Sequence, residues 1–274
     1  MRFAPQISLA LPMAIHGIVT IPGVTAHCSD GLVNVVFNSD SYDKLSQFSK
    51  MPGASNWLTF AFGTQPKQIP MLGNDKDAVD KAIAAVNGPN PPDYLLTFNE
   101  PDHDYKTGKV ILYPKDAAGL IQPLLKSPGN HTKFIAPVPA NQTSPWLTDF
   151  YNECKCRDFF AAHNVHIYRP TVEEAKAEIN AFREKYNDKP LWITEIAPGQ
   201  STPRCPKKIP WDKSIKFMQE IYAWGQSTEW IHKIFWNSGN QINCNDTNVA
   251  ASYLLDYKDE PTPLLDPFNH LTCS

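Results

Sequence analysis

The chain carries no excess of positive charge: 25 Lys and Arg stand against 28 Asp and Glu, a formal net charge of −3. Nucleic-acid binding draws most of its affinity from neutralised phosphates, so a chain with neither a basic excess nor a basic run is not built for that partner. Past residue 26 no segment offers about 20 uninterrupted apolar residues, the length a membrane-spanning helix needs. No Cys/His group has zinc spacing, and no Gly-x-Ser-x-Gly elbow presents a serine nucleophile. The 25 prolines are dispersed and no heptad is sustained, which removes collagen-like and coiled-coil readings. What remains is a chain of 274 residues, 42% hydrophobic and 11% aromatic, able to bury a sizeable core. That length suits one large α/β barrel or two ordinary domains.

The first residues read as a processing signal. Met1 and Arg2 precede an apolar stretch, Ile7 to Val24, broken by Pro12, His16 and Pro22. Val24-Thr25-Ala26 then has the small-residue pattern of a cleavage site. Residues 1–26 are expected to be a signal peptide, and 27–274 one catalytic domain that is secreted, to the extracellular space or the cell wall. Six cysteines, an even number, fit an oxidising compartment and argue against a free cysteine nucleophile. Three sequons place N-glycosylation at Asn130, Asn141 and Asn245 if the host is a eukaryote.

Short apolar β-type runs then alternate with helical patterns. Strands are expected at Leu32–Asn38, Trp57–Phe62, Gln68–Leu72, Tyr94–Phe98, Phe134–Pro137, Val165–Tyr168, Leu191–Thr194 and Ile231–Trp236. The clearest helices are Asp75–Asn87, Pro114–Leu125, Thr171–Tyr186 and Trp211–Trp230. In Thr171–Tyr186 the apolar residues Val172, Ala175, Ile179, Phe182 and Tyr186 recur at spacings of three and four, as one buried helix face requires. Eight such units match a single (β/α)8 TIM barrel, whose strands are covered on both sides and therefore read as continuous apolar runs. The structural rival, a doubly wound open sheet, would place a glycine-rich phosphate loop after the first strand, and Phe37-Asn38-Ser39-Asp40 has no such glycines.

Two carboxylates fall at telling places on this map. Glu100, in Phe98-Asn99-Glu100-Pro101-Asp102, comes just past the fourth expected strand, and Glu195, in Trp192-Ile193-Thr194-Glu195, just past the seventh. All C-terminal strand ends of a barrel open onto one face, so residues 95 apart in sequence can share one cleft. Cleaving a glycosidic bond needs such a pair: one carboxylic acid protonates the departing oxygen, and a carboxylate opposite attacks the anomeric carbon or activates water. Asn99 beside the acid can hydrogen-bond a sugar hydroxyl. His166 and Tyr168 alternate with Val165 and Ile167 and so share a strand face, with Tyr168 nearest the mouth. Tyr168 could bind the nucleophile or the sugar, while His166 reads equally as a sugar contact or a satisfied core histidine. Trp236, closing the eighth strand, is either a floor for a pyranose ring or core packing. Asn38, ending the first strand, is a candidate hydroxyl contact.

Taken together, Phe98-Asn99-Glu100-Pro101-Asp102, Val165-His166-Ile167-Tyr168 and Trp192-Ile193-Thr194-Glu195 resemble glycoside hydrolase family 128, within clan A of retaining (β/α)8 enzymes. The resemblance implies an endo-β-1,3-glucanase with Glu100 as acid/base and Glu195 as nucleophile, acting without metal or other cofactor. Its partner would be a β-1,3-glucan polysaccharide or oligosaccharide, with no nucleic acid or membrane, and the chain a monomer. A β-1,4-glucanase or mannanase of the same clan, or a secreted glucan-binding protein without turnover, are the alternatives. Among the cysteines, Cys205 follows the seventh strand and Cys244 the eighth, in neighbouring loops that could be bridged. Cys28 and Cys273 sit at the two ends of the mature chain, where the barrel closes, and elimination then pairs Cys154 with Cys156.

Overall fold

The computed structural model describes residues 31–37, 44–104, 107, 109–199, 209–241 and 252–271. Among these residues seven strands alternate with helices: β1 Val33–Phe37, β2 Asn56–Thr59, β3 Tyr94–Leu96, β4 Lys133–Ile135, β5 His163–Arg169, β6 Leu191–Pro198 and β7 Ile231–Asn237. The helices are α1 Leu45–Phe48, α2 Lys76–Val86, α3 Pro114–Lys126, α4 Trp146–Cys154, α5 Val172–Lys185, α6 Trp211–Gln226 and α7 Leu265–Asn269. Local chemistry explains their ends. Asp75 caps α2 by accepting from the Ala78 amide, and Thr171 caps α5 by accepting from the Glu174 amide. Glu173 and Glu174 in the first turn of α5, with Arg183 and Lys185 in its last, complement the helix dipole. The helix expected to run to Trp230 stops at Gln226, where the Ser227 and Thr228 hydroxyls donate back to the Trp224 carbonyl.

Every strand pair is parallel. One sheet has the order β2-β1-β7-β6-β5, and β3 pairs with β4. The two are joined into a ring by isolated bridges: Trp57 to Gln68, Met71 to Leu96, and Ile135 to Ala162. The Gln68–Leu72 segment, expected to be a strand, therefore occupies its barrel position through single bridges. The Ile69 amide donates to Trp57 O, and the Leu96 amide donates to Pro70 O. Pro70 has no amide to give, so a continuous ladder cannot form there. With that segment counted, eight parallel positions close the (β/α)8 barrel.

Strand alternation divides the core in two. Val36, Leu58, Leu96, Ile135 and Phe235 fill the barrel interior, whereas Val35, Phe37, Trp57, Ile234 and Trp236 point outward against the helices. The interior changes character along its axis. On β7 the inward positions are Lys233, Phe235 and Asn237, a cation at the bottom, an apolar middle and a polar top. Lys233 Nζ donates to Asn56 Oδ1 at 2.8 Å and Gly31 O at 3.2 Å and lies over the Tyr94 and Trp192 rings. Among the described residues no helix is long and apolar enough to cross a membrane.

Cys154 and Cys156 form a disulfide at the end of α4. The expected Cys28–Cys273 and Cys205–Cys244 pairings, the sequon at Asn245, and the expected signal peptide all lie outside the described residues. Asn130 and Asn141 are exposed.

Burial lowers the Lys233 pKa from 10.5 to about 8. The folded chain then binds fewer protons here than the unfolded chain between those two values, so stability rises with pH across that window and the full cost of the buried charge is present below it. Lys233→Met, which removes the charge, should gain on the wild type by up to about 3 kcal/mol near pH 7, and the gain should shrink toward pH 10. Urea unfolding at the two pH values checks this; a gain that grows with pH would contradict it.

Candidate active site

The site is built on the upper, polar layer of the barrel. On β5 the inward residues Asn164, His166 and Tyr168 climb toward the C-terminal end, and Val165 and Ile167 pack outward. On β6 simple alternation from the inward Trp192 would send Ile193 and Glu195 together to the outer layer. The strand avoids this with a bulge. Val165 pairs with Ile193 but His166 with Glu195, and on the other side Ile193 pairs with Ile234 but Ile196 with Trp236. The extra residue turns both Thr194 and Glu195 inward while Ile193 and Ile196 stay outward, the way a bulge re-aims a side chain. Glu195 is thus inside β6, which continues to Pro198, rather than just past it.

Glu100 is placed by a different device. The amide of Glu100 donates to Val138 O at 2.8 Å, and Asn99 bridges Val138. Glu100 itself has φ of 44°, a left-handed conformation that costs a non-glycine residue about 1–3 kcal/mol. The following loop holds it there. Asp102 accepts from the amides of Ala140 and Asn141, and Pro101 O accepts from those of Ile111 and Leu112.

The two acids and His166 meet. Each offers an atom within 4.8 Å of the others, and all three residues are buried. His166 Nδ1 is 2.9 Å from Glu100 Oε1 and 3.7 Å from Glu195 Oε2, and His166 Nε2 is 3.1 Å from Thr194 Oγ1. Glu195 Oε2 accepts from the Tyr168 hydroxyl and from the Asn237 amide, which also donates to Tyr168. Burial and the charge of Glu195 push the Tyr168 phenol well above its usual value, so it stays protonated and donates. Burial raises Glu195 above the usual carboxylate range; His166 opposes this, Glu100 adds to it, and Tyr168 and Asn237 oppose it.

Of the residues expected from sequence, Glu100, Glu195, His166 and Tyr168 come together here, and Asn99, next to Glu100 in the chain, has its Oδ1 buried with no hydrogen-bond partner. Trp236 does not. It is fully buried in the outer layer near Phe217, and its indole N–H donates to Ser252 O, so it cannot floor a sugar subsite. Its neighbour Asn237 faces the cleft instead. Asn237 is absent from the expected set, although the apolar run Ile234-Phe235-Trp236 ending in a polar residue marks opposite faces for the last two. Asn38 lies outside the described residues.

Glu100, His166 and Glu195 also have the spacing to hold a cation. The three side chains are instead engaged with one another and with neutral donors: His166 Nδ1 contacts Glu100 directly, and Glu195 Oε2 accepts from Tyr168 and Asn237, so a cation would have to break the His166–Glu100 contact.

The chain matches the family model described as glycosyl hydrolase catalytic core over residues 31–268. Comparison with curated protein sequences gives no match. Solved structures share the fold at low identity. A family 128 subgroup I endo-β-1,3-glucanase from Amycolatopsis mediterranei, in complex with laminaripentaose, is 18% identical with a TM-score of 0.68, covering 88% of this chain and 99% of its own. A subgroup V exo-β-1,3-glucanase from Cryptococcus neoformans is 19% identical with a TM-score of 0.68, covering 89% and 100%. A subgroup VII oligosaccharide-binding protein from Trichoderma gamsii is 13% identical with a TM-score of 0.68, covering 92% and 97%.

Two outcomes are expected of the site itself. Tyr168→Phe removes a donor that holds Glu195 down, so the acidic limb of any activity that needs ionised Glu195 should move to higher pH, read from a pH–rate profile. A limb moving to lower pH would contradict the assignment. Incubation with a strong chelator, followed by assay without added metal, should leave activity unchanged. A loss restored by one divalent cation would make the three residues a metal centre. The match across most of the chain, with this fold, places the protein in the glycosyl hydrolase catalytic core family.

Proposed function

We propose that the protein is a secreted family 128 enzyme that hydrolyses internal β-1,3-glucosidic bonds of β-glucan with retention of configuration. The observation that carries this reading is the carboxylate pair, whose nearest oxygens lie within 4.8 Å. Retaining enzymes hold their two carboxyl groups closer together than inverting ones, which must admit a water between acid and substrate, and so short an oxygen approach favours the retaining arrangement. The β-1,3-glucanases that share the fold support the choice of glucan as substrate. The Cys154–Cys156 disulfide supports export to an oxidising compartment.

In the first step Glu195 attacks the anomeric carbon. Its Oε2 is held by Tyr168 and Asn237, which leaves Oε1 for the new bond. Glu100 gives its proton to the departing oxygen. In the second step Glu100 takes a proton from water, whose oxygen displaces Glu195. Asn99, with its unpartnered Oδ1, binds a hydroxyl of the sugar at the scissile bond.

The subgroup VII likeness supports one other reading, an oligosaccharide-binding protein without turnover. Both acids are present here and each has its own hydrogen-bond partner, which favours the enzyme. Reducing-sugar release from laminarin, carboxymethyl cellulose and mannan separates β-1,3-glucanase from β-1,4-glucanase or mannanase, and no release from any of them identifies a binder. Proton NMR of the earliest laminarin products should show a β reducing end; an α anomer would remove Glu195 as nucleophile. Glu195→Gln should lose about 10⁴-fold or more on every substrate. Glu100→Gln should lose about 10²–10⁴-fold on glucan but recover on an aryl glycoside with an activated leaving group, which needs little protonation.

A further inference from the structure

Glu100 stands at one end of a buried chain of hydrogen bonds that crosses the barrel beneath the cleft. The Thr194 hydroxyl donates to Asn164 Oδ1 at 2.6 Å, which turns its lone pairs toward His166 Nε2 at 3.1 Å. Nε2 therefore carries a hydrogen. A neutral imidazole with its hydrogen at Nε2 presents a lone pair at Nδ1. That nitrogen faces Glu100 Oε1 at 2.9 Å, and a carboxylate oxygen is likewise an acceptor. Two acceptors do not make a 2.9 Å contact without a proton between them. Asn164, His166 and Thr194 are 1%, 4% and 0% exposed, so water does not stand in for any link of this chain.

We infer that His166 and Glu100 hold the proton of the general acid jointly, with Asn164 and Thr194 as positioning residues that keep His166 Nδ1 turned toward Glu100. The inference rests on Glu100 being the acid/base. In the first step the Glu100 O–H bond breaks and its proton passes to the glycosidic oxygen, which also takes the electron pair of the cleaved C1–O bond, while Glu195 forms its bond to C1. Glu100 and Nδ1 are then two acceptors 2.9 Å apart with nothing between them. That repulsion is relieved when Glu100 takes a proton from water, so the contact that stores the proton also strengthens the base of the second step. The water oxygen bonds C1, and the C1–Glu195 electron pair returns to Glu195. Other charged groups face the ring as well. Burial lowers its affinity for a second proton, but Glu195, Glu100 and Asp102 outweigh this and raise it above that of an ordinary histidine. Tyr168, neutral and donating to Glu195, adds no charge.

The test is the basic limb of kcat/KM on laminarin, which reports loss of the shared proton. His166→Gln cannot share it, so that limb should move to lower pH and turnover should fall about 10–100-fold. On an aryl laminaribioside with an activated leaving group, the burst of the first step should persist while steady-state turnover, limited by the second step, falls. Thr194→Val keeps the histidine but removes the acceptor at Nε2; it should shift the limb in the same direction, and Thr194→Ser should restore it. A wild-type limb in Thr194→Val, with Thr194→Ser as the folded reference, would overturn the proposal even if His166→Gln fails to fold. If Glu100→Gln and Glu195→Gln stay active on glucan, the acid/base reading itself fails; if they are inactive while both limbs are unmoved, only the shared proton does.

Discussion

Two carboxylates held within 4.8 Å of each other in a buried cleft repel, and the upper half of the barrel is organised around that repulsion. Such a pair takes up one proton, and the surroundings decide which acid keeps it. Here each acid has its own partners. Glu195 has Tyr168 and Asn237 on one oxygen, and Glu100 has His166. These partners come from β5 and β7, the strands on either side of β6, while Glu100, which follows β3, reaches His166 only because the barrel closes between β4 and β5.

The layering of the interior makes room for this polar group. Below it Val36, Leu58, Ile135 and Phe235 form a dry apolar plug, and Lys233 closes the bottom over Tyr94 and Trp192. A plug of close-packed side chains gives rigid strands, and rigid strands hold catalytic groups to a few tenths of an ångström, a precision that loops alone seldom reach. The positive end of the interior and its negative end are separated by that apolar middle. The charge of Lys233 is thereby kept apart from Glu100 and Glu195.

Local distortion is concentrated where the two acids sit. The bulge in β6 reverses the facing of Glu195, and the left-handed turn at Glu100 points the other acid back across the cleft. Both depart from regular strand geometry, and both are held by backbone partners on neighbouring strands or loops: Val138 for Glu100, and β5 and β7 for the bulge. Such departures persist only where surrounding structure over-determines them.

Much of this is legible in the chain alone, because its physical causes are local. Periodicity of two and of three to four gives the elements in order; the helix expected over Pro114–Leu125 is observed as Pro114–Lys126, and that over Thr171–Tyr186 as Val172–Lys185 with Thr171 as its cap. Alternation along β5 by itself sets His166 and Tyr168 on one inward face. The position of Glu100 and Glu195 near the ends of barrel strands follows from the same periodicity. What alternation could not supply is the facing of Glu195, because a bulge is fixed by register against two neighbouring strands and has no mark within Ile193-Thr194-Glu195-Ile196. Asn237 takes the place expected of Trp236 for a related reason: which of two adjacent residues faces the cleft depends on how β7 is seated between β6 and β1. The buried line from Asn164 through Thr194 to His166 and Glu100 joins three separate segments of chain. Only closure of the barrel brings them to hydrogen-bond distance, so its existence was decided by the tertiary structure.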